Sequence, residues 1–346
     1  MTQRLRALSR LIRAARRRLV VQPGAERSKA EHSVPDTHRI KNKWFDQTFA
    51  EVPHDDEQMR FATTGSSSVK RIRSLFDKEP ITLAWIDSFD PNEVMFDIGA
   101  NVGMYTIYAA VMRKAQVFAF EPEALNYAEL NKNIFLNDLH GQVLAYCLAL
   151  SDVDKTDRLL LSDFGLGISY HDFEENSWSE DKQFAPDWKV SRHNRKPQGC
   201  MGRRVDSLLA DGLPVPAHIK IDVDGLEHRV IEGMLETLKQ PGVKTVLMEV
   251  NFDNSKNLDA IEKMTSLGWK FSWDQLKINR HVRFTEEQIK KAHRKAVGGM
   301  NYIFYKDNSY DEYFKILSEQ YIPGTPINTK DILQKLDFRS PYTQSR

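Results

Sequence analysis

Between residues 94 and 250, short apolar runs alternate with longer stretches in which apolar residues have helical spacing. Runs of the first kind predict strands, and apolar residues at i, i+3, i+4 and i+7 predict amphipathic helices. The predicted strands are Val94–Ile98, Gln116–Phe120, Val143–Leu150, His218–Val223 and Val243–Val250. The predicted helices between them are Met104–Met112, Ala124–Asn137 and Leu226–Leu238. This alternation indicates a doubly wound α/β fold, a parallel sheet covered by helices on both faces.

The segments on either side of this region are less regular. Residues 25–60 are polar and charged, so we interpret them as a linker or peripheral segment, and helical spacing resumes over Ser68–Phe76 and from Pro80. After the region, we predict helices at Leu258–Leu267, at Thr285–Arg294 behind a capping box, and along the apolar stripe from Tyr310 to Tyr321. Trp269–Trp273 and Tyr302–Tyr305 are predicted strands. We therefore divide the chain into a tail (1–23), a peripheral segment (24–75), a main domain (76–306) and a C-terminal helical extension (307–346).

Charge is separated along the chain although the totals balance. The 346 residues hold 49 Lys and Arg against 48 Asp and Glu, a net charge of +1, which excludes a uniformly basic nucleic-acid binder. Residues 1–19 nevertheless contain seven arginines and no acid, which leaves about −6 for the rest of the chain. Apolar residues recur at helical spacing between these arginines, so a basic amphipathic helix is predicted. Three interpretations stay open: a solvated tail, a contact with an anionic membrane surface, and a transit peptide.

Composition narrows the class of protein. Hydrophobic residues at 41% and charged residues at 28% are typical of a globular chain and exclude wholesale disorder. No apolar stretch of about 18 residues predicts a membrane-spanning helix. Cys147 and Cys200 are too few for a disulfide framework and favour a reducing compartment. We expect a cytoplasmic protein, with the tail as its contact if it associates with a membrane.

Candidate chemistry lies just after the predicted strands, where ligands bind in doubly wound sheets. Asp97, Gly99, Asn101 and Gly103 follow the first strand, and the glycines allow a tight turn close to a ligand. The glycine spacing does not match the dinucleotide fingerprint, which disfavours an oxidoreductase. An acid beside such a turn suits a cationic ligand such as an ammonium or a sulfonium, and the alternative is a turn that Asp97 only caps.

The ends of the later strands carry further acids. Glu121 ends the second strand, where a carboxylate can accept hydrogen bonds from both hydroxyls of a ribose. Asp222 and Asp224 follow the fourth strand, and Glu249 lies at the end of the fifth. Neighbouring acids repel one another, so their clustering indicates a cationic ligand, a metal or proton transfer. Partial compensation by Lys220 is the purely structural alternative.

Three ordered motifs resemble the FkbM family of S-adenosylmethionine-dependent methyltransferases, over about residues 76–253. They are Phe96-Asp-Ile-Gly-Ala-Asn-Val-Gly103, Glu121-Pro-Glu-Ala-Leu-Asn126 and Lys220-Ile-Asp-Val-Asp-Gly-Leu-Glu227. The resemblance implies a class I methyltransferase (Rossmann-like) fold with a mostly parallel, seven-stranded sheet. It implies that Asp97, Gly99, Asn101 and Gly103 line the methionine part of S-adenosylmethionine and that Glu121 binds the ribose. It also places Ser151 and Asp152 near the adenine.

The same resemblance implies methyl transfer to varied acceptors, which are often hydroxyls. We expect the O-methylation of a saccharide or a natural product, because such hydroxyls are common acceptors in the family. A hydroxyl acceptor loses a proton, so a general base is needed. Asp222 or Asp224 is the candidate, with Glu249 as runner-up. A divalent ion bridging these three acids is an alternative that we do not expect.

Two further expectations concern the acceptor. Residues 162–203 are predicted to be an irregular insertion in which aromatic and basic residues mix, and we interpret it as an acceptor-side lid, with a variable surface loop as the alternative. We do not expect a nucleic-acid acceptor, since the core has no extended basic patch. A non-catalytic scaffold of the same fold stays in view, and the oligomeric state cannot be inferred from the sequence.

Overall fold

The computed structural model describes residues 37–42, 46–169, 171–173, 195–251, 255–278, 299–322, 327 and 329–336. The arginine-rich tail, most of the predicted lid and the predicted helix Thr285–Arg294 therefore lie outside the described residues. The described strands are β1 Thr37–Lys41, β2 Asp46–His54, β3 Glu57–Ala62, β4 Val94–Ile98, β5 Gln116–Phe120, β6 Val143–Tyr146, β7 Ala149–Leu150, β8 Lys155–Leu161, β9 Asp172–Phe173, β10 Lys196–Arg203, β11 His218–Ile221, β12 Thr245–Asn251 and β13 Gly299–Tyr305. The described α-helices are α1 Ser66–Arg73, α2 Leu75–Lys78, α3 Pro80–Asp87, α4 Met104–Arg113, α5 Ala124–Leu136, α6 Val205–Ala210, α7 Glu227–Glu232, α8 Ser255–Ser266, α9 Ser309–Gln320 and α10 Lys330–Lys335.

The central sheet has six described strands in the order β6-β5-β4-β11-β12-β13. All neighbours are parallel except β12 and β13, which are antiparallel. Successive strand residues point to opposite faces, so Met95 and Leu247 join one apolar core while Phe96 and Met248 join another. Helices α3, α4, α5 and α9 cover the first face, and α6, α7 and α8 cover the second. The predicted doubly wound α/β fold is confirmed.

The expected seventh strand is not formed within the described residues. Trp269–Trp273, predicted to be a strand, makes one isolated antiparallel bridge, between Lys270 and Tyr305. The chain then enters a short 3₁₀ turn, where the Gln275 side chain donates to the Ile303 carbonyl at 3.0 Å and accepts from the Ile303 N–H at 2.7 Å. A side-chain amide therefore satisfies the edge of β13 that a longer strand would pair.

The interpretation of residues 25–60 as a linker or peripheral segment is wrong for their described part. Strands β1, β2 and β3 form an antiparallel sheet there, and Val52, Met59 and Phe61 lie in the same core as α4 and α5. The side chain of Asn133 on α5 accepts from the Ala62 N–H at 2.8 Å, which fastens this sheet to the domain. Apolar residues alternate with polar ones in β2 and β3, and the surrounding charges hid this period of two in the sequence.

The single strand predicted over Val143–Leu150 is divided between two sheets. Its first part is β6 in the central sheet, and its second part is β7 in a smaller sheet of order β7-β10-β8-β9. Strand β10, Lys196–Arg203, pairs antiparallel with β8, so residues 162–203, which we expected to be irregular, are partly strand. Between the two parts lies Cys147, which is exposed, whereas Cys200 in β10 is buried. Within the described residues, no helix has the length and apolar character needed to cross a membrane.

The apolar stripe from Tyr310 to Tyr321 is helical, as predicted, over Ser309–Gln320, and it packs on the domain. Tyr310, Tyr313, Phe314 and Leu317 of α9 are buried in the core that also contains Trp85 of α3. The Tyr313 hydroxyl donates to the Ala84 carbonyl at 2.6 Å. Helix α9 therefore packs against α3, which precedes the first strand of the central sheet.

Candidate active site

A cavity of about 540 Å³ opens at the carboxyl ends of β4, β5, β11 and β12. This volume lies within the range of small-molecule and cofactor sites. Its lining includes the glycine turn after β4, a cluster of carboxylates at the ends of β11 and β12, and one face of α1 and α2. The carboxyl edge of the sheet is the place where the topology of a doubly wound fold leads us to expect a ligand.

The glycine turn after β4 is pressed against the loop after β11. Gly99 has φ +78°, and a Cβ placed on it would lie 1.9 Å from the carbonyl oxygen of Asp222, so only glycine fits this contact. Asn101 also has a positive φ, 51°, and its side chain accepts from the Val102 N–H at 3.0 Å. Gly99 and Asn101 both line the cavity. The turn therefore places peptide groups, rather than bulky side chains, at one wall.

Glu121 directly follows β5 and lies beside this turn. One carboxylate oxygen accepts from the Asn101 N–H at 2.8 Å and the other from the Glu123 N–H at 2.9 Å. Burial raises the pKa of Glu121 to about 7, against the lowering effect of these two hydrogen bonds. A carboxylate has about four lone-pair sites, so two stay available for hydroxyl groups of a ligand. The arrangement suits the ribose-binding role predicted for this residue.

Asp97 and Gly103 lie behind the turn rather than in the described cavity lining. Both are buried. One oxygen of Asp97 accepts from the Thr106 hydroxyl at 2.6 Å, and the other lies 3.6 Å from the Lys220 ammonium. Gly103 has φ +83°, and a Cβ on it would lie 2.4 Å from the Leu130 side chain. These two residues therefore shape the turn from inside the core.

The ammonium of Lys220 lies near the carboxylates of both Asp97, in the first motif, and Asp222, in the third. Strands β4 and β11 pair Asp97 with Lys220 in register, and the buried Lys220 ammonium donates to the Asp222 carboxylate at 3.0 Å. Burial alone would lower the pKa of Lys220, but the carboxylates of Asp222 and Asp97 outweigh it and raise that pKa. The ammonium in turn opposes the effect of burial on Asp222, whose pKa falls to about 2. Asp222 is therefore ionised at neutral pH.

The predicted catalytic acids Asp222, Asp224 and Glu249 come together at the cavity. One carboxylate oxygen from each lies within 4.8 Å of the others, and all three residues are half-buried. Burial and the charge of Asp222 raise the pKa of Glu249 well above its ordinary value, and Glu249 hydrogen-bonds to Asp222. The environment thus separates the pKa values of neighbouring carboxyls, a pattern typical of acid–base sites.

The carboxylate of Glu227 fixes the loop that carries Asp224 by accepting hydrogen bonds from the loop backbone. Asp224 has φ +55°, and one oxygen of the buried Glu227 accepts from the N–H groups of Val223 at 3.2 Å and Gly225 at 3.0 Å. Burial raises the pKa of Glu227 to about 7. Glu227, the last residue of the third motif, positions the loop and stays out of the cavity lining.

Ser151 and Asp152 are adjacent to the cavity, whose described lining on this strand consists of Leu148, Ala149 and Leu150. The Asp152 carboxylate accepts from the Arg229 guanidinium at 2.5 Å and from the Ser151 hydroxyl at 3.0 Å. The backbone of Gly233 packs against the Ser151 carbonyl, since a Cβ on Gly233 would lie 2.0 Å from it. Their predicted role near an adenine stays a prediction.

The described start of the predicted lid covers the glycine turn. The Asn126 side chain accepts from the Gly167 N–H at 2.7 Å and donates to the Ile168 carbonyl at 3.0 Å, and Asn101 donates to the same carbonyl at 3.1 Å. Arg71 of α1 donates to the Gly167 carbonyl at 2.8 Å. This segment therefore contacts the predicted cofactor side of the cavity, whereas the sequence suggested the acceptor side.

Several lining residues were not singled out as site residues from the sequence. Glu79, before α3, accepts from the Lys78 ammonium at 2.5 Å and from the Asn301 amide at 3.1 Å. Tyr105 of α4 is not in the described cavity lining, but it hydrogen-bonds to Glu79, and its ring lies 5.3 Å from the Lys220 ammonium. Asn126 ends the second motif that resembles the family, and Glu79 lies in the wider resembling region, residues 76–253, which was the available signal. Asn301 of β13 gave none.

A doubly wound sheet with an antiparallel final strand, a glycine turn and a ribose-type acid define a class I methyltransferase-like protein. The acid-lined cavity fits S-adenosylmethionine, because Glu121 can accept from ribose hydroxyls and the carboxylates favour a sulfonium. A family model described as the methyltransferase FkbM domain matches residues 97–271, just over half of the chain. The chain belongs to this family of S-adenosylmethionine-dependent methyltransferases.

Two curated relatives and one solved structure illustrate this similarity. The hexuronic acid methyltransferase AglP of Haloferax volcanii is 25% identical over 198 residues, 56% of this chain and 70% of the relative. The 31-O-demethyl-FK506 methyltransferase FkbM of Streptomyces tacrolimicus is 26% identical over 183 residues, 46% of this chain and 66% of the relative. The crystal structure of methyltransferase FkbM from Methylobacillus flagellatus KT has a TM-score of 0.40 at 13% identity, and the match covers 70% of this chain and 55% of that one. The match thus leaves about a third of the second relative and nearly half of the solved chain uncovered.

Proposed function

We propose that this protein transfers a methyl group from S-adenosylmethionine to a hydroxyl group of a saccharide or natural product. The observation that supports the proposal is the carboxylate cluster Asp222, Asp224 and Glu249, placed in the same cavity as the glycine turn and Glu121. The two relatives, a hexuronic acid methyltransferase and a 31-O-demethyl-FK506 methyltransferase, have activities that agree with this acceptor class.

The cofactor supplies an electrophilic methyl group, and the protein's own residues orient the acceptor and accept its proton. Asp222 stays ionised because Lys220 compensates it, so it accepts a hydrogen bond well but is a weak base. Glu249 has a raised pKa and is the stronger base once ionised. We therefore assign proton acceptance to Glu249 and orientation of the hydroxyl to Asp222, reversing the preference suggested by the sequence.

The test measures methyl incorporation from isotope-labelled S-adenosylmethionine into a panel of sugars and small hydroxylated acceptors. We expect Glu249→Gln to lose roughly 100-fold or more of kcat, in the range typical of a lost general base. Its cofactor affinity, measured by calorimetry, should stay within about twofold. Glu232→Gln, which removes an exposed acid of α7, is the matched control. Wild-type turnover by Glu249→Gln would overturn the assignment.

Calorimetry also separates the enzyme from the scaffold alternative. A wild-type protein that binds no S-adenosylmethionine at millimolar concentration would contradict the proposed function. The three acids are close enough together to hold one divalent ion, so the assay is repeated after exhaustive chelation. We expect turnover to survive, because Glu249 accepts the proton directly. A loss of turnover that Mg²⁺ or Mn²⁺ restores would assign the cluster to a metal.

A further inference from the structure

One face of α1 and α2 is a basic stripe that lines the same cavity. Five residues spaced as a helical face, i, i+3, i+4, i+7 and i+11, belong to it: Ser67, Lys70, Arg71, Ser74 and Lys78. Each contributes an ammonium, a guanidinium or a hydroxyl, and none is an acid. Residues three and four apart share a helix face, so this composition places hydrogen-bond donors and positive charge on one wall.

Two cations of the basic stripe have no carboxylate partner within the part of the chain that the structure describes. Lys70 is exposed and makes no ion pair there, and neither does Arg71. Lys78 differs, because it pairs with Glu79. Unpaired positive charge in a cavity that also holds five carboxylates is available for an anionic ligand group.

Arg71 is already held in place for such a contact. Its Nε and Nη2 atoms donate to the Gly167 carbonyl, and Nη2 also donates to the Ser169 hydroxyl at 2.9 Å. A guanidinium has five N–H donors, so the two on Nη1 remain after these contacts. Because neutral oxygens fix the group, its charge is not cancelled and little further ordering is needed on binding.

We propose that the acceptor carries a carboxylate, or an anion of similar shape, and that Lys70 and Arg71 bind it. The inference rests on the proposed function and names the substrate class more narrowly. The two walls have opposite charge: the acids after β11 and β12 repel an anionic group, and the basic stripe attracts it. A hydroxylated acid such as a uronic acid would therefore bind with its carboxylate toward α1 and a hydroxyl toward Asp222 and Glu249.

The test titrates protein saturated with S-adenosylhomocysteine, using D-glucuronate and D-glucose as probes, with binding followed by saturation-transfer NMR. We expect wild type to prefer glucuronate over glucose. Lys70→Gln should weaken glucuronate binding roughly 10-fold or more, as for a lost charge-assisted contact, and leave glucose unaffected. Arg73→Gln removes a positive charge from the same helix at an exposed position outside the cavity lining, and should behave as wild type. Equal binding of glucuronate by wild type and Lys70→Gln, or no preference for glucuronate in wild type, would overturn the proposal.

The cofactor has a carboxylate of its own, so a second titration distinguishes the two sources. S-adenosylmethionine and 5′-methylthioadenosine, which lacks the amino-acid part, are titrated into wild type and Lys70→Gln. Unchanged affinity for both supports the acceptor as the source. A loss of affinity for S-adenosylmethionine alone would assign the basic stripe to the cofactor and overturn the proposal. Failure of wild type to bind S-adenosylmethionine would instead contradict the proposed function, which the sugar titration does not test.

Discussion

Replacing Lys220 with methionine tests whether its buried ammonium stabilises the two neighbouring carboxylates, those of Asp97 and Asp222. Its Nζ lies 3.0 Å from the Asp222 carboxylate and 3.6 Å from the Asp97 carboxylate, and Lys220 and Asp97 are both 1% exposed. Methionine keeps most of the side-chain volume, so the change removes mainly the charge. Two carboxylates are then left without their counter-ion.

The size of the effect follows from this geometry. Removing one partner of a buried ion pair costs about 3–5 kcal/mol in the free energy of unfolding. Separately, the pKa of Asp222 falls from 3.8 to about 2 in the folded protein, in which Lys220 outweighs the effect of burial. At about 1.4 kcal/mol per pKa unit, this shift contributes on the order of 2 kcal/mol. We therefore expect a deficit of about 3–5 kcal/mol at pH 7 in the variant.

The pH dependence of the deficit has a defined sign. In wild type the Asp222 pKa is depressed, so its stabilising contribution is fully present above pH 3.8 and is lost as the pH falls toward 2. In Lys220→Met the unpaired carboxylates bind protons more tightly than in the unfolded chain. The variant therefore loses stability as the pH rises, and its deficit should shrink by about 1 kcal/mol or more between pH 7 and pH 4.

Urea denaturation at both pH values, followed by tryptophan fluorescence, measures the effect, since Trp85 and Trp269 are buried reporters. Lys239→Met, in an exposed i,i+3 pair with Glu236, is the control and should change stability by less than about 0.5 kcal/mol. A deficit below about 1 kcal/mol at pH 7, or one that grows on acidification, would refute this account of Lys220.

Two further predictions concern the walls of the cavity. Gly99→Ala should lower the free energy of unfolding by at least about 2 kcal/mol, because the new Cβ would collide with the Asp222 backbone at a positive φ. Gly141 has open space around it, so Gly141→Ala is the control and should be neutral. Coinciding urea midpoints for the two variants would contradict the contact. Glu121→Gln should weaken S-adenosylmethionine binding roughly 10-fold in calorimetry at pH 8. The affinity of wild type for S-adenosylmethionine should rise with pH through about 7, which is the pKa that burial gives Glu121. The reason is that the ionised carboxylate accepts hydrogen bonds from the ribose hydroxyls. Glu121→Gln should lack this rise. A wild-type affinity that is flat between pH 6 and 8 would exclude that role.

The central fold was accessible from the sequence because its strands are short apolar runs with clear boundaries. The predicted bounds of β4 and β5 match the structure, Val94–Ile98 and Gln116–Phe120. The wrong predictions fall in segments where the local pattern of apolar and polar residues is less decisive than contacts with distant parts of the chain. Charged residues masked the alternation in β2 and β3, and the Gln275 amide replaces the backbone pairing expected from Trp269–Trp273.

The residues of the candidate site were likewise predictable from the sequence only in part. The sequence identified Gly99, Asn101 and Glu121, and also the acids Asp222, Asp224 and Glu249, all of which line one cavity. It could not separate residues that face the cavity from those that support the turn, because both kinds follow the same strands. Asp97 and Gly103 belong to the second kind.

By itself, the sequence determined the alternation of strands and helices in the central fold, the glycine turn and the presence of acids at the strand ends, because these depend on residue type and spacing along the chain. Only the tertiary structure decided that the pKa of Asp222 is lowered and that the pKa of Glu249 is raised. A pKa depends on burial and on neighbours that are distant in sequence, as Lys220 is from Asp97 and Glu249 is from Asp222. The tertiary structure also brought the basic stripe of α1 and α2 into the lining of the same cavity as these acids, so that one cavity presents groups of both charges.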